Sequence, residues 1–294
     1  MQYEKTEQLI GQGGYSSVYI CKKKDSDTNQ KYAIKLSKDI RNSSKNHLLI
    51  EYKILRHLVG GIGIPKVYSY GKEDDNIFLV QELLGNNLNQ EMKTRKTKFS
   101  KKAFISIALQ MISRIEFLHS YGFIHCDIKP DNFVLGLKQE NNMKDLDKNN
   151  FTLYLIDYGL VEPYMNLKTK VHKKPKENQG HKGTIDFCSI NSHMGLSLSR
   201  RDDLESLAYC LIYLYLGKLP WTSNRSIGKS KESILNAKIE FSSICKQLKS
   251  IDRNFVKILD YVSKLKFEEK PNYKYIKELI KNMDKIEWMF VSIF

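Results

Sequence analysis

The sequence predicts an α+β protein of two unequal lobes, a small sheet-rich one with one main helix and a larger, mostly helical one. Three observations carry this. Up to about residue 80, short apolar runs alternate with polar turns, the pattern of strands. Beyond Leu84-Gly85-Asn86-Asn87, apolar residues recur at three- and four-residue steps over long stretches, the pattern of helices. The length, 294 residues, exceeds that at which a single core usually stops growing. The division is placed at residue 84, giving lobes 1–84 and 85–294.

Each element has its own signal. Glu7-Gln8-Leu9-Ile10 leads into a glycine cluster, and Ser17-Val18-Tyr19-Ile20-Cys21 leaves it. A polar turn from Asp25 to Gln30 then precedes Lys31-Tyr32-Ala33-Ile34-Lys35-Leu36, so an antiparallel hairpin is expected. Leu48, Leu49, Glu51, Ile54, Leu55 and Leu58 trace a helix that Gly60-Gly61 terminates. Strands are expected around Lys66–Tyr70 and Ile77–Glu82. In the second lobe, Ser100 can cap a long helix with an apolar stripe from Phe104 to Leu118. Asp203–Leu216 and Phe255–Leu265 are two more helices. Phe133–Leu137 and Thr152–Ile156 are short strands joined by an Asn- and Lys-rich insert.

Composition narrows the class without choosing a function. Apolar residues are 41% and charged residues 28%, which excludes wholesale disorder. Lysine and arginine exceed aspartate and glutamate by 48 − 33 = 15, a balance that favours phosphates, nucleic acid, anionic membranes or acidic proteins. Five cysteines without a Cys-x-x-Cys spacing argue against a disulfide framework or a zinc site and fit a reducing compartment. No secretory signal opens the chain, and Leu204–Leu219 is too short and polar to span a bilayer. A cytoplasmic or nuclear protein is expected; Lys22-Lys23-Lys24 and the run Lys93–Lys102 are compatible with nuclear entry or with a solvated face.

The residues that carry chemistry lie in four places. Gly11-Gln12-Gly13-Gly14-Tyr15-Ser16-Ser17-Val18 sits between two strands, where backbone N–H groups can approach phosphate oxygens. Because a strand follows, a dinucleotide-binding turn is disfavoured. Lys35 lies on the next strand beneath that turn, and Glu51 sits among helix leucines, where a carboxylate is rarely buried without a partner. In His125-Cys126-Asp127-Ile128-Lys129-Pro130-Asp131-Asn132, a carboxylate, a lysine and an asparagine converge in one short loop. Phosphoryl transfer needs that set: a carboxylate for the attacking hydroxyl, a cation for the phosphate and an oxygen ligand for magnesium. Finally, Leu155-Ile156-Asp157-Tyr158-Gly159 ends an apolar strand in a carboxylate suited to a hard cation.

In this order the motifs resemble the eukaryotic protein kinase family over nearly the whole chain. More narrowly the chain is similar to the casein kinase 1 group, through His125–Phe133, Ser189-Ile190-Asn191, Ser199–Leu207, Leu219-Pro220-Trp221 and Phe267–Tyr273. The Gly11–Gly14 loop and Gly183-Thr184-Ile185-Asp186-Phe187 look more like the vaccinia-related kinase branch. The resemblance implies a bilobal kinase fold and a serine/threonine kinase using ATP and Mg2+. It implies Asp127 as catalytic base, Lys129 on the γ-phosphate, Lys35 on the α/β-phosphates, Glu51 fixing Lys35, and Thr184 linking the activation segment to Asp127 and Lys129. Asn132 and Asp157 would hold magnesium. Ile10, Gly11, Gln12, Gly13, Gly14, Tyr15, Val18, Ala33, Lys35, Glu82, Leu84 and Asp157 would contact the nucleotide, with Glu82–Leu84 as the hinge. Asp203 would brace the catalytic loop.

Departures from the family pattern shape further expectations. Ser16 stands at the third glycine position and Gln81 just before the hinge. Cys126 replaces an arginine that commonly receives a phosphorylated activation-segment residue, so activity without such phosphorylation is expected. Asp186 reverses the charge of an arginine that in casein kinase 1 proteins holds a substrate phosphate, so a preference for primed substrates is not carried over. Lys168, Lys170, Lys173, Lys174, Lys176 and Lys182 favour acidic proteins as substrates. An idle kinase-like scaffold is disfavoured because Lys35, Asp127, Asn132 and Asp157 are all present. A specific nucleic-acid partner is disfavoured because no aromatic-interleaved basic motif appears. The chain ends soon after the last motif, so regulation from within the domain or by partners is expected; a monomer is also expected.

Overall fold

The computed structural model describes residues 2–14, 16–24, 28–38, 46–95, 99–137, 150–222, 230–244 and 252–283. Tyr15, most of the insert that follows residue 137, and Cys245 lie outside them.

The first part is a five-stranded antiparallel sheet in the order β1-β2-β3-β5-β4, formed by β1 (Tyr3–Gln12), β2 (Ser17–Lys23), β3 (Lys31–Lys38), β4 (Val67–Glu73) and β5 (Asn76–Glu82). Register places Lys35 opposite Val18 on one side and Leu79 on the other, and Ala33 opposite Gln81. Successive side chains of a strand point to opposite faces. Ile34, Phe78 and Val80 therefore join Tyr3, Cys21 and Tyr32 in a small core on one face, and Lys35, Ala33, Leu79 and Gln81 fall on the other.

Helix α1 (His47–His57) covers that second face. Asn46 caps it by accepting the Leu49 amide at 2.9 Å, and Leu48, Glu51, Ile54 and Leu55 form its buried stripe. The helix stops at His57, three residues before Gly60, whose φ of +87° turns the chain towards β4.

The second part begins with β6 (Leu84–Asn87), α2 (Leu88–Thr94) and α3 (Lys101–Ser120), the last capped by Ser100 as predicted. Two short antiparallel sheets follow, β6-β8-β9 with β8 (Phe133–Gly136) and β9 (Leu153–Leu155), and β7-β10 with β7 (Phe123–Ile124) and β10 (Glu162–Pro163). Then come α4 (Ile190–His193), α5 (Arg200–Leu216), α6 (Lys231–Ile244), α7 (Arg253–Lys264) and α8 (Tyr273–Asn282). Helix α5 starts at Arg200 rather than at Asp203, because Asp202 accepts the Ser199 amide at 2.7 Å and secures an earlier first turn.

One apolar core runs from α1 through α3 and α5 to α7 and α8, with Leu55, Ile107, Met111, Leu207, Ile258 and Ile276 among its members. Ile128, from the loop 125–132 between β7 and β8, is part of the same core. Among the described residues no helix is long and apolar enough to cross a membrane.

Candidate active site

Lys35 leaves β3 on the face covered by α1, so its ammonium meets that helix. Its Nζ lies 2.7 Å from Glu51 Oε2 and 2.7 Å from Asp157 Oδ1. Burial alone would lower the lysine; Glu51 and Asp157 override that and hold it above its usual range. Burial would likewise raise the Asp157 carboxyl, but Lys35 keeps it below the ordinary carboxylate range. The expected ion pair is therefore a three-membered network joining β3, α1 and the segment after β9.

Asp157 adopts a left-handed conformation with φ +65°, rare for a residue with a side chain. This kink drives Tyr158 into the core, fully buried, and leaves the Asp157 carboxylate 42% exposed to the cleft. Gly159 passes against α1, its carbonyl 2.9 Å from His47 Nδ1.

The loop after β7 is built on Asp203. This buried carboxylate accepts the His125 amide at 2.6 Å and the Cys126 amide at 3.0 Å, which fixes Cys126 at φ +66°. His119 Nε2 adds a third bond to Asp203 at 2.9 Å, and Tyr273 meets His119 Nδ1 at 2.7 Å. Burial lowers His119 below its usual pKa, so the ring is neutral, donating from Nε2 and accepting at Nδ1. His125 Nε2 bonds the Ile156 carbonyl at 3.0 Å and ties the loop to the strand before Asp157.

So braced, the loop presents its polar residues together. Lys129 Nζ bridges Asp127 Oδ2 at 2.8 Å and Thr184 Oγ1 at 2.9 Å. Thr184 also gives its amide and its hydroxyl to Asp127 Oδ1, both at 2.8 Å. Asn132 Nδ2 donates to the Asp127 carbonyl at 2.8 Å, which turns its amide oxygen the other way. Gly183 is required at φ +83°, because a Cβ there would lie 2.5 Å from the Cys126 carbonyl.

The glycine-rich hairpin is different. Gly13 donates to the Ser16 carbonyl at 2.8 Å, but a Cβ at Gly13 would meet nothing closer than 3.8 Å and at Gly14 nothing within 4 Å. Packing within the described residues does not demand these glycines, which fits a loop that must let a ligand approach its backbone. Of the other expected nucleotide contacts, Ala33 shares the face of Lys35, while Leu84 pairs with Gly136 of β8. Glu82 receives a bond from the Tyr154 hydroxyl at 3.3 Å. Gln81 is buried on the same sheet face, and among the described residues its Oε1 has no hydrogen-bond partner. Asp157 and Asn132 offer a carboxylate and a carboxamide oxygen, a hard donor set that suits Mg2+.

Several further contacts anchor the site. Ser189 Oγ and Asn191 Nδ2 both donate to Asp202 Oδ1, at 2.8 and 2.9 Å, so Ser189-Ile190-Asn191 is tied to the start of α5. Glu205 accepts the Ile190 amide at 2.8 Å, and its burial pushes its carboxyl up to about 7. Lys182 is held by both oxygens of Glu162 at 2.8 Å, which withdraws it from the basic run. Cys126 is buried and its thiol raised well above the usual range by that burial, so it is held as a thiol rather than the reactive thiolate.

A fold of this order around this cluster defines a class of phosphotransferase. Compared with known families, the protein kinase domain matches residues 3–283, and the chain belongs to the protein kinase family. Protein kinase activity, ATP and in general Mg2+, and protein substrates follow from that membership.

Proposed function

We propose that this kinase is a serine/threonine kinase of the casein kinase 1 group, transferring the γ-phosphoryl group of Mg-ATP to hydroxyls of acidic proteins. The observation that carries the serine/threonine reading is the bridge from Lys129 to both Asp127 and Thr184. A lysine two residues after the base follows the serine/threonine pattern. The tie from Ser189-Ile190-Asn191 to Asp202 supports the group, since both motifs are among those that carry the resemblance.

In this reading the lobes meet after residue 84, and Glu82–Leu84 offers backbone groups to the adenine edge. Ile10, Gly11, Gln12, Gly13, Gly14, Val18 and Ala33 cover the nucleotide; Tyr15 lies outside the described residues. Lys35 carries the α/β-phosphates, and Glu51 holds it in place. Asp127 accepts the proton of the substrate hydroxyl, its orientation set by the two bonds from Thr184. Lys129 leans on the transferred group and offsets its negative charge. Asn132 and Asp157 would hold magnesium, which when bound neutralises phosphate charge as it develops.

Phosphoamino-acid identification after labelling of a protein substrate tests the specificity. Phosphoserine or phosphothreonine is expected, and phosphotyrosine as the main product would refute the reading.

Two further outcomes are expected. Cys126 brings no cation to the activation segment, so phosphatase-treated enzyme should keep its turnover. An inert dephosphorylated enzyme that recovers on rephosphorylation would contradict this. Lys168, Lys170, Lys173, Lys174 and Lys176 are exposed on the segment between β10 and Thr184. A serine peptide flanked by glutamates should therefore be preferred to a neutral one, with an advantage that shrinks as salt rises. Equal rates for the two peptides would remove the support for acidic substrates.

A further inference from the structure

His181, Cys188 and His193 bring their ligand atoms within 4.8 Å of one another, a spacing that invites a metal. Two of the three, Cys188 and His193, already face an ammonium. Lys238 enters from α6, 0% exposed, with Nζ 2.8 Å from the Ile185 carbonyl and 2.7 Å from the Cys188 carbonyl. The same nitrogen lies 3.1 Å from His193 Nε2 and 3.9 Å from Cys188 Sγ. Two carbonyls and one imidazole match the three donors of an ammonium. Burial lowers His193 to about 4, so the ring stays neutral and can accept. The faces of Tyr209 and Trp221, 5.0 and 5.4 Å away, close the cage with cation–π contacts.

A buried lysine is rare unless its environment compensates it; burial lowers Lys238 to about 8, and two of its three acceptors are carbonyls of one loop. Ile185 and Cys188 directly follow Thr184, whose amide and hydroxyl hold Asp127. Trp221 Nε1 holds the intervening Asp186 carbonyl at 2.9 Å, and Glu205 holds the Ile190 amide. The backbone from 185 to 190 is thus pinned from beneath by α5, α6 and the turn carrying Trp221. Because this segment begins at Thr184, which touches Asp127, it lies next to the place where a polypeptide would present its hydroxyl in the kinase reading.

We propose that Lys238 is a positioning residue for the protein substrate: its buried ammonium fixes residues 185–188 in the shape that lets a polypeptide dock beside Asp127. The proposal rests on the kinase reading. It predicts an effect on peptide binding that a merely structural lysine would not produce.

The test compares wild type with Lys238→Met, which keeps the stem and removes the three donors. The probe is a serine peptide flanked by glutamates. The peptide KM should rise by about tenfold or more, as lost hydrogen bonds to a charged group imply. The KM for ATP and the slow hydrolysis of ATP without peptide should stay within about twofold of wild type. A fall in kcat at unchanged peptide KM, or equal losses of peptide transfer and hydrolysis, overturns the proposal. Trp221→Phe removes the bond to Asp186 while keeping an aromatic ring beside Lys238, and is the readout if Lys238→Met does not fold. Its peptide KM should rise by about threefold, and an unchanged KM overturns the proposal. So would stoichiometric zinc in the purified wild-type protein, which would put a metal where the ammonium is assigned. Wild-type enzyme that phosphorylates no protein or peptide would instead refute the kinase reading itself.

Discussion

In Asp127→Asn, phosphoryl transfer is expected to fall by about 10²–10⁴-fold, the range that a positioned general base supplies. The amide keeps the volume of the carboxylate and can still accept from Thr184, so the loop keeps its shape. What disappears is the group that can take the hydroxyl proton, and with it the ion pair that holds Lys129 at 2.8 Å. Melting temperature and ATP affinity should therefore stay near wild type while turnover collapses. Transfer at wild-type rates would remove Asp127 from the mechanism. An unfolded variant would leave the matter to Asp127→Glu, which keeps the charge, displaces it by one methylene and should also be strongly impaired.

Asp203→Ala is expected to give the largest loss of stability. It orphans the His125 and Cys126 amides, both buried, at about 1–3 kcal/mol for each unsatisfied donor. At roughly 2–4 °C per kcal/mol, the range for domains of 150–250 residues, the melting temperature should drop by about 4 °C or more. Activity should fall with it, because those two amides set the path of the chain into Asp127. A melting temperature unchanged within error would show that the loop holds its shape without this carboxylate.

The same network gives a pH dependence. The Asp203 carboxyl is buried, which alone would raise it, yet the bonds from His119 and the charges nearby hold it below its usual range. Its stabilising contribution is thus present above about pH 3.9, the unfolded carboxylate value, and is lost as pH falls through the lower folded value. His119 is lowered by burial, so the unfolded chain takes up a proton there more readily than the folded one. Stability should accordingly decline as pH falls below about 6.5. His119→Gln should flatten that decline in urea-midpoint measurements across pH 5–8, and an identical pH profile would contradict it.

Much of the fold was legible because its signals are local. The hairpin around Gly11–Gly14, the leucine stripe of α1, the Ser100 cap and the apolar run of α5 each announce themselves within a few residues. Helices α2, α4, α6 and α8 are not among those the sequence predicts: α2 and α4 are short, α6 buries few positions, and α8 follows a stretch rich in Lys, Pro and Asn. Within the candidate site, the pairing of Lys35 with Glu51 could be anticipated, since a carboxylate among helix leucines asks for a partner. The partners of His119 and Lys238 could not. They lie 53 residues away for Lys238 and Ile185, and 84 for His119 and Asp203, so no local pattern marks them. The basic run shows the same limit, because the pairing of Lys182 with Glu162 is a fact of folding.

The central claim is that Lys35, Asp127, Asn132 and Asp157 act together as a seat for magnesium and nucleotide. Calorimetric titration of ATP into wild type and Asp157→Asn, with and without Mg2+, tests it most directly. Mg2+ should strengthen ATP binding to the wild type, and Asp157→Asn should lose that gain while keeping its melting temperature. Failure of the wild type to bind ATP, or an affinity that ignores Mg2+ in both proteins, would contradict it.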